Sequence, residues 1–245
     1  MSTLKTRIKL SADTLKIFAI ICMFIDHIAY SIIDSYLVKC FDKITPEQYT
    51  SLHELYTVLR GIGRLAFPIF AFFLVEGFFK TRSVVKYALR LLIMAVISEI
   101  PFNLGIYHQI IYTGHQNIML TLLIGLLCMW LCSYLIKQPF LAPLLVFLCL
   151  CVTASAIAIA QYTNADYGWK GIVLICAIYF ARMLGGNGLL AGAAAASTFE
   201  KYAPASFLLL YFYDPEKKPR LKLLFYIFYP AHLLVIYAIA RCLNL

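Results

Sequence analysis

Charge is what this sequence most lacks. Only 13% of its 245 residues are charged, 62% are hydrophobic and the mean hydropathy is +0.83. A soluble domain carries about 25% charged residues, so an ordinary soluble enzyme is excluded and the chain reads as a membrane protein. No polar stretch after residue 13 is long enough for a soluble domain larger than a loop, so residues 1–245 form one integral-membrane domain. Alternation of apolar and polar residues in roughly ten-residue strands is missing too, which excludes a β-barrel. Paired CxxC spacing is absent among the eight cysteines (22, 40, 128, 132, 149, 151, 176, 242). They read as small core residues rather than disulfides or metal ligands, and no metal is expected. Acidic residues are scarce, 12 against 21 Lys and Arg, for a net charge of +9. In a membrane protein those cations set topology and meet anionic lipid, so nucleic acid is not an expected partner.

What the chain does have is a series of continuous apolar runs. They predict helices at 13–33, 61–79, 86–106, 117–136, 139–160, 170–184, 187–199, 203–213 and 222–243, most of them near the roughly 17–25 residues a span needs. Lys5, Arg7 and Lys9 before the first run, with AYS at 29–31, resemble a signal peptide. The run is longer than a signal core and carries Asp26-His27, so 13–33 is read as a retained first helix. Loops with Lys80/Arg82/Lys86, Lys137, Arg182 and Lys217/Lys218/Arg220/Lys222 alternate with 107–116 and 161–169, which hold no Lys or Arg. A basic N-terminus on the inside accounts for all of them only if 187–213 crosses twice as a short hairpin. The fold class is therefore an all-α polytopic membrane helical bundle of about nine membrane segments, N-terminus cytoplasmic. Residues 34–60 read as an external loop containing a short amphipathic helix, PEQYTSLHELYTVL, either simply solvated or a lid over an outward-facing site.

Within the predicted spans stand Asp26, His27, Arg64, Glu76, Arg90, Glu99, Asn103, Asn117 and His232. Ionisable groups at that depth face the bundle interior, where they pair or line a cavity. By depth, His27, Glu99, Arg64 and Asn117 converge in the outer half, whereas Glu76 and Arg90 belong to the inner half. Lys16 and His27 are 11 positions apart, three helical turns and about 16 Å, on one face. A cation at the cytoplasmic end can hold a phosphate, and a His three turns deeper can act as a general base. That distance suits an extended phosphopantetheine arm. Asp26 points about 100° away and pairs elsewhere, with a neighbouring helix or the acceptor, while depth makes Glu99 the better partner for His27. Pro68 and Pro230 lie inside predicted helices, where kinks open room for a cavity.

The stretches DTLKIFAIICMFIDHI, GRLAFPIFAFFLVEGFFKTR (63–82), KYALRLLIMAVISEIPFNL (86–104) and FYIFYPAHLLVIY (225–237) resemble, in order, the recurring blocks of the TraX-like family, named for an F-pilin acetylation protein. More distantly, Asp13-x-Leu15-Lys16 followed by ten residues and then His27 is similar to the DxLR-x10-H pattern of integral-membrane acyltransferases, with Lys16 in place of Arg. The resemblance implies a membrane acetyltransferase using acetyl-CoA as acyl donor, with His27 catalytic and Asp13 and Lys16 at the donor site. Arg82 and Lys86 at the cytoplasmic edge join Lys16 as candidates for the CoA phosphates. Glu99 and Asp26 accompany His27 as catalytic candidates. Arg64, Glu76, Asn103, Asn117 and His232 are candidates for the acceptor or oxyanion side. The acceptor expected is an amine or hydroxyl on a pilin or peptide N-terminus, a surface glycan or a small molecule. A polytopic transporter and a non-enzymatic membrane assembly factor are the rival readings, because intramembrane charges also mark transport paths and helix glue.

Overall fold

The fold comes from a computed structural model describing residues 9–217 and 219–245, the Lys222 side chain excepted. Lys5, Arg7 and Lys218, counted above among the topology-setting cations, lie outside the described residues. Among the described residues ten helices follow one another: α1 Ala12–Lys39, α2 Pro46–Gly63, α3 Ala66–Lys80, α4 Val84–Tyr107, α5 Ile118–Ile136, α6 Ala142–Tyr162, α7 Gly168–Met183, α8 Gly188–Ser197, α9 Ser206–Leu210 and α10 Lys222–Cys242. Among the described residues there is no strand, only isolated bridges between Leu10 and Tyr213 and between Gln116 and Ala165. The chain is an all-helical integral membrane protein.

Local chemistry sets the helix starts. Ser11, Ser83, Asn117 and Asn187 each accept a backbone N–H of the first turn, and Thr45 with Gln48 forms a reciprocal capping box. That box starts α2, which runs on to Gly63, while α1 continues to Lys39 through a π-turn at Ala29–Ile33. The 34–60 stretch is thus α-helical apart from residues 40–45, within which Phe41–Lys43 make a single 3-10 turn. The expected unbroken helix 61–79 is instead split at Arg64–Leu65. Pro68 does not kink it, for it sits in the first turn of α3, where backbone N–H groups have no intrahelical partner anyway. Pro230 does lie inside α10, and Pro101 inside α4.

Among the described residues six helices are long and apolar enough to cross a membrane: 12–39, 46–80 taken as one rod, 84–107, 118–136, 142–162 and 223–242. At 1.5 Å per residue α7 extends about 24 Å and α8 about 15 Å, short of the roughly 30 Å hydrocarbon thickness. The count of nine crossings is therefore not reached on length and composition. The 187–213 region nevertheless turns back on itself: Phe207 of α9 packs on Gly192 of α8, and Tyr213 returns to Lys80 at the end of α3.

The bundle has a basic end and a far end. At the basic end Lys9 pairs with Asp214, Lys217 donates to the Lys9 carbonyl, and Glu76 meets Lys80 and Arg182. The far end gathers the Gln116–Ala165 bridge and the contact of Lys39 with the Asn244 carbonyl. Leu15, Ile69, Leu126, Met129, Ile172, Ile175 and Tyr179 form a continuous core between them. α6 buries only Cys149, Ala156 and Ala160, leaving Val146, Phe147 and Leu150 to face outward as a lipid-side helix would. All eight cysteines are free, five of them buried in the bundle.

α4 and α10 pack against each other at Gly105. A Cβ there would come within 2.6 Å of the Leu233 carbonyl oxygen, a backbone atom that cannot move aside alone. Gly105→Ala is therefore expected to cost about 1–3 kcal/mol through overpacking, read as a lower Tm in detergent. An unchanged Tm would mean the two helices are free to separate.

Candidate active site

On α1, Lys16, Ile20, Met23 and His27 recur at spacings of four, three and four, a single stripe facing the bundle interior. Ile20, Met23 and His27 line a chamber of about 230 Å³ toward the far end, together with Asp26, Arg60, Arg64, Tyr167 and Tyr229. Lys16 lines a second chamber of about 660 Å³ at the basic end, with Lys80, Arg82, Arg90 and Tyr87. The two share walls at Phe70, Met119, Leu122 and Phe225, so the stripe runs from one into the other. The stripe between Lys16 and His27 is thus bordered by two adjoining chambers, Lys16 on one and Ile20, Met23 and His27 on the other.

His27 Nδ1 lies 2.8 Å from His232 Nε2, and His232 Nδ1 lies 2.8 Å from the Phe228 carbonyl oxygen. A carbonyl only accepts, so His232 Nδ1 carries a hydrogen and donates it. In the uncharged ring its Nε2 is then the acceptor, and His27 Nδ1–H must be the donor to it. This chain of bonds leaves His27 Nε2 with a bare lone pair. His232 itself is 4% exposed, walled by Phe24, Phe228 and Tyr229, and stands behind His27 rather than in the chamber lining. Its place is that of a positioning residue. The π-turn begins two residues after His27, a backbone irregularity common at functional sites.

Asp26, on another face of α1, accepts from Arg60 at 2.7 Å and Arg64 at 3.3 Å. Gly63 permits this, because a Cβ there would collide with the Asp26 carboxylate. Arg64 extends the network to the Tyr167 hydroxyl at 3.5 Å and to Glu200 at 4.0 Å, which Lys170 also reaches. Burial pushes the Asp166 and Tyr167 groups above their ordinary ranges at this far-end wall, and Arg64 opposes that in both.

The remaining candidates are distributed as follows. Glu99 is not the partner of His27: its Oε2 accepts from Asn117 Nδ2 at 2.5 Å, and Asn117 also donates to the Ala95 carbonyl and caps α5. Those bonds tie α4 to α5. Asn103 is buried with its Oδ1 unpartnered and does not line the chamber. Glu76, ion-paired with Lys80 and Arg182, borders the basic chamber, 12 residues along the rod from Arg64. Arg82 lines that chamber, whereas Lys86 is exposed outside it. Asp13 Oδ2 accepts from the Arg220 and Leu221 backbone N–H groups, so it straps the entry of α10 beside the Lys16 chamber. Among the described residues no group of three or more His, Cys, Asp or Glu side chains could hold a metal ion.

Sequence reasoning passed over Arg60, Tyr167 and His115, all of which line the His27 chamber. Arg60 had a signal: it stands one helical turn before Arg64, on either side of Gly61-Ile62-Gly63. Tyr167 and His115 had none, since they lie in the far-end connections and reach the site through tertiary packing.

A family model described as TraX protein matches residues 11–240 of this chain. A probable fimbrial assembly protein, FimC of serogroup H1 from Dichelobacter nodosus, is 30% identical over 259 residues, covering 92% of this chain and 94% of that protein. No solved structure matches the chain.

Proposed function

The chain belongs to the TraX protein family, and from that premise we propose that it is a membrane acetyltransferase. It moves an acetyl group from cytoplasmic acetyl-CoA to an amine or hydroxyl at the outer side. The observation that carries this reading is the His27–His232 pair, its His27 lining a chamber that shares walls with the basic chamber lined by Lys16. In this reading the basic end faces the cytoplasm. The family's association with pilin acetylation and the fimbrial relative favour a pilin or peptide N-terminus as acceptor, with a surface glycan the next choice.

Lys16, Arg82 and Arg90 hold the phosphates of the donor in the larger chamber, charge against charge. Its arm then follows the α1 stripe toward His27. His27 Nε2 takes the proton of the acceptor as its nitrogen or oxygen bonds to the thioester carbonyl carbon. Arg60 and Arg64, lining the same chamber, oppose the negative charge that develops on the carbonyl oxygen. The carbon–sulfur bond breaks, CoA leaves as the thiolate, and the proton on His27 returns to that sulfur. His232 holds the ring in the tautomer that keeps Nε2 free and accepts from Nδ1–H throughout, the orienting role a carboxylate plays in other hydrolytic and transfer sites.

Acetyl-CoA at one hundred times its Kd is expected to stabilise the purified protein by about 2.7 kcal/mol, visible as a raised Tm in detergent. Lys16→Ala is expected to abolish that protection at the same concentration. Absence of protection at any acetyl-CoA concentration would contradict the enzyme reading and leave a transporter or assembly factor.

A further inference from the structure

We infer that Phe70 and Phe225, completed by Met119 and Leu122, form an apolar collar between the two chambers that limits the acyl chain reaching His27 to a short one. The inference rests on the acetyl-transfer reading and adds the residues that set donor specificity. These four side chains, from α3, α5 and α10, are the walls the chambers have in common among the described residues. None carries a charge or a hydrogen-bonding hydroxyl or amide. A phosphate cannot pass such a ring without losing its hydration unrepaid, so the nucleotide stays on the Lys16 side while an uncharged arm threads through.

The far side is small. Its volume of about 230 Å³ is roughly one third of the 660 Å³ on the near side. That space must contain the acyl group and the reacting end of the acceptor together. Two carbons leave more of it to the acceptor than six, whose extra methylenes crowd the acceptor and the Phe70 and Phe225 rings. The collar is also coupled to the donor site. Lys16 Nζ lies 5.6 Å from the centre of the Phe225 ring and 4.9 Å from that of Phe73, so the cation that meets the phosphates also braces one wall of the collar.

The test compares binding of CoA, acetyl-CoA and hexanoyl-CoA by thermal shift and isothermal titration, in the wild-type chain and in Phe70→Ala and Phe225→Ala. Wild type is expected to bind acetyl-CoA about tenfold or more tightly than hexanoyl-CoA. Each alanine variant is expected to bring the two esters to within about threefold of each other, with the affinity for CoA itself as the reference for each variant. Phe70→Leu and Phe225→Leu, which keep an apolar side chain, serve if an alanine variant does not fold and are expected to fall between. If acetyl-CoA binds but the variants keep the wild-type preference, or wild type shows none, the collar is overturned while the acetyl-transfer reading stands. If no CoA compound binds wild type, both fall.

Discussion

Replacing His27 by alanine is expected to lower acetyl transfer by about 10² to 10⁴-fold, the range a positioned general base contributes. The expectation follows from the bond chain that ends in the bare Nε2 of His27. Alanine also leaves the buried His232 Nε2 without its donor, at a cost of about 1–3 kcal/mol, so some loss of Tm accompanies the loss of rate. His27→Gln separates the two effects. Its amide N–H₂ can still donate to His232 Nε2, but it offers no basic nitrogen. Transfer is expected to be as low as in the alanine variant, with a Tm nearer wild type. Purified protein assayed for CoA thiol release with a supplied amine or hydroxyl acceptor checks both. Rates within a few-fold of wild type in His27→Gln would place the base elsewhere.

The second large effect is on stability. Asp26→Ala is expected to destabilise the bundle by about 3–5 kcal/mol, because it strands two arginines that the carboxylate now holds in a poorly solvated wall. The Asp26 side chain is 12% exposed, and those of Arg60 and Arg64 are 26% and 19% exposed. Thermal denaturation in detergent reads the change. A double-mutant cycle with Arg60→Ala isolates the pair, since removing both partners is expected to cost less than the sum of the single losses. A Tm unchanged in Asp26→Ala would show that solvent, with Tyr167 and Glu200 at Arg64, satisfies the arginines without the carboxylate. Asp26 is thus the ionic tie between α1 and the α2–α3 rod, and the open question of its partner ends at Arg60 and Arg64.

Much of the architecture was legible in the sequence, for physical reasons. Long apolar runs without charge become membrane helices because no other unpaired backbone is tolerated in lipid, and the alternation of basic and cation-free loops marks the two ends. The Lys16–His27 stripe was readable too, since helical periodicity alone puts both on one face. What the sequence hid was long-range pairing. His27 and His232 are 205 positions apart, and only the packing of α1 against α10 brings them within 2.8 Å. Depth put Glu99 level with Asn117, to which it is bonded, but depth carries no information about rotation around a helix axis. Glu99 therefore looked like a partner for His27 when it faces α5 instead. The break at Arg64–Leu65 was obscured for a similar reason: Pro68 was visible, but whether a proline kinks a helix or begins one depends on where the preceding helix stops.

The central claim is acetylation that depends on His27, and mass spectrometry of surface molecules tests it most directly. Cells with the gene, without it, and without it but carrying either the wild-type or the His27→Gln chain at matched membrane levels are compared. An acetylated surface peptide or glycan present with the gene, absent without it, restored by wild type and not by His27→Gln is the expected result. An identical acetylation pattern in all four, or full restoration by His27→Gln, would contradict it.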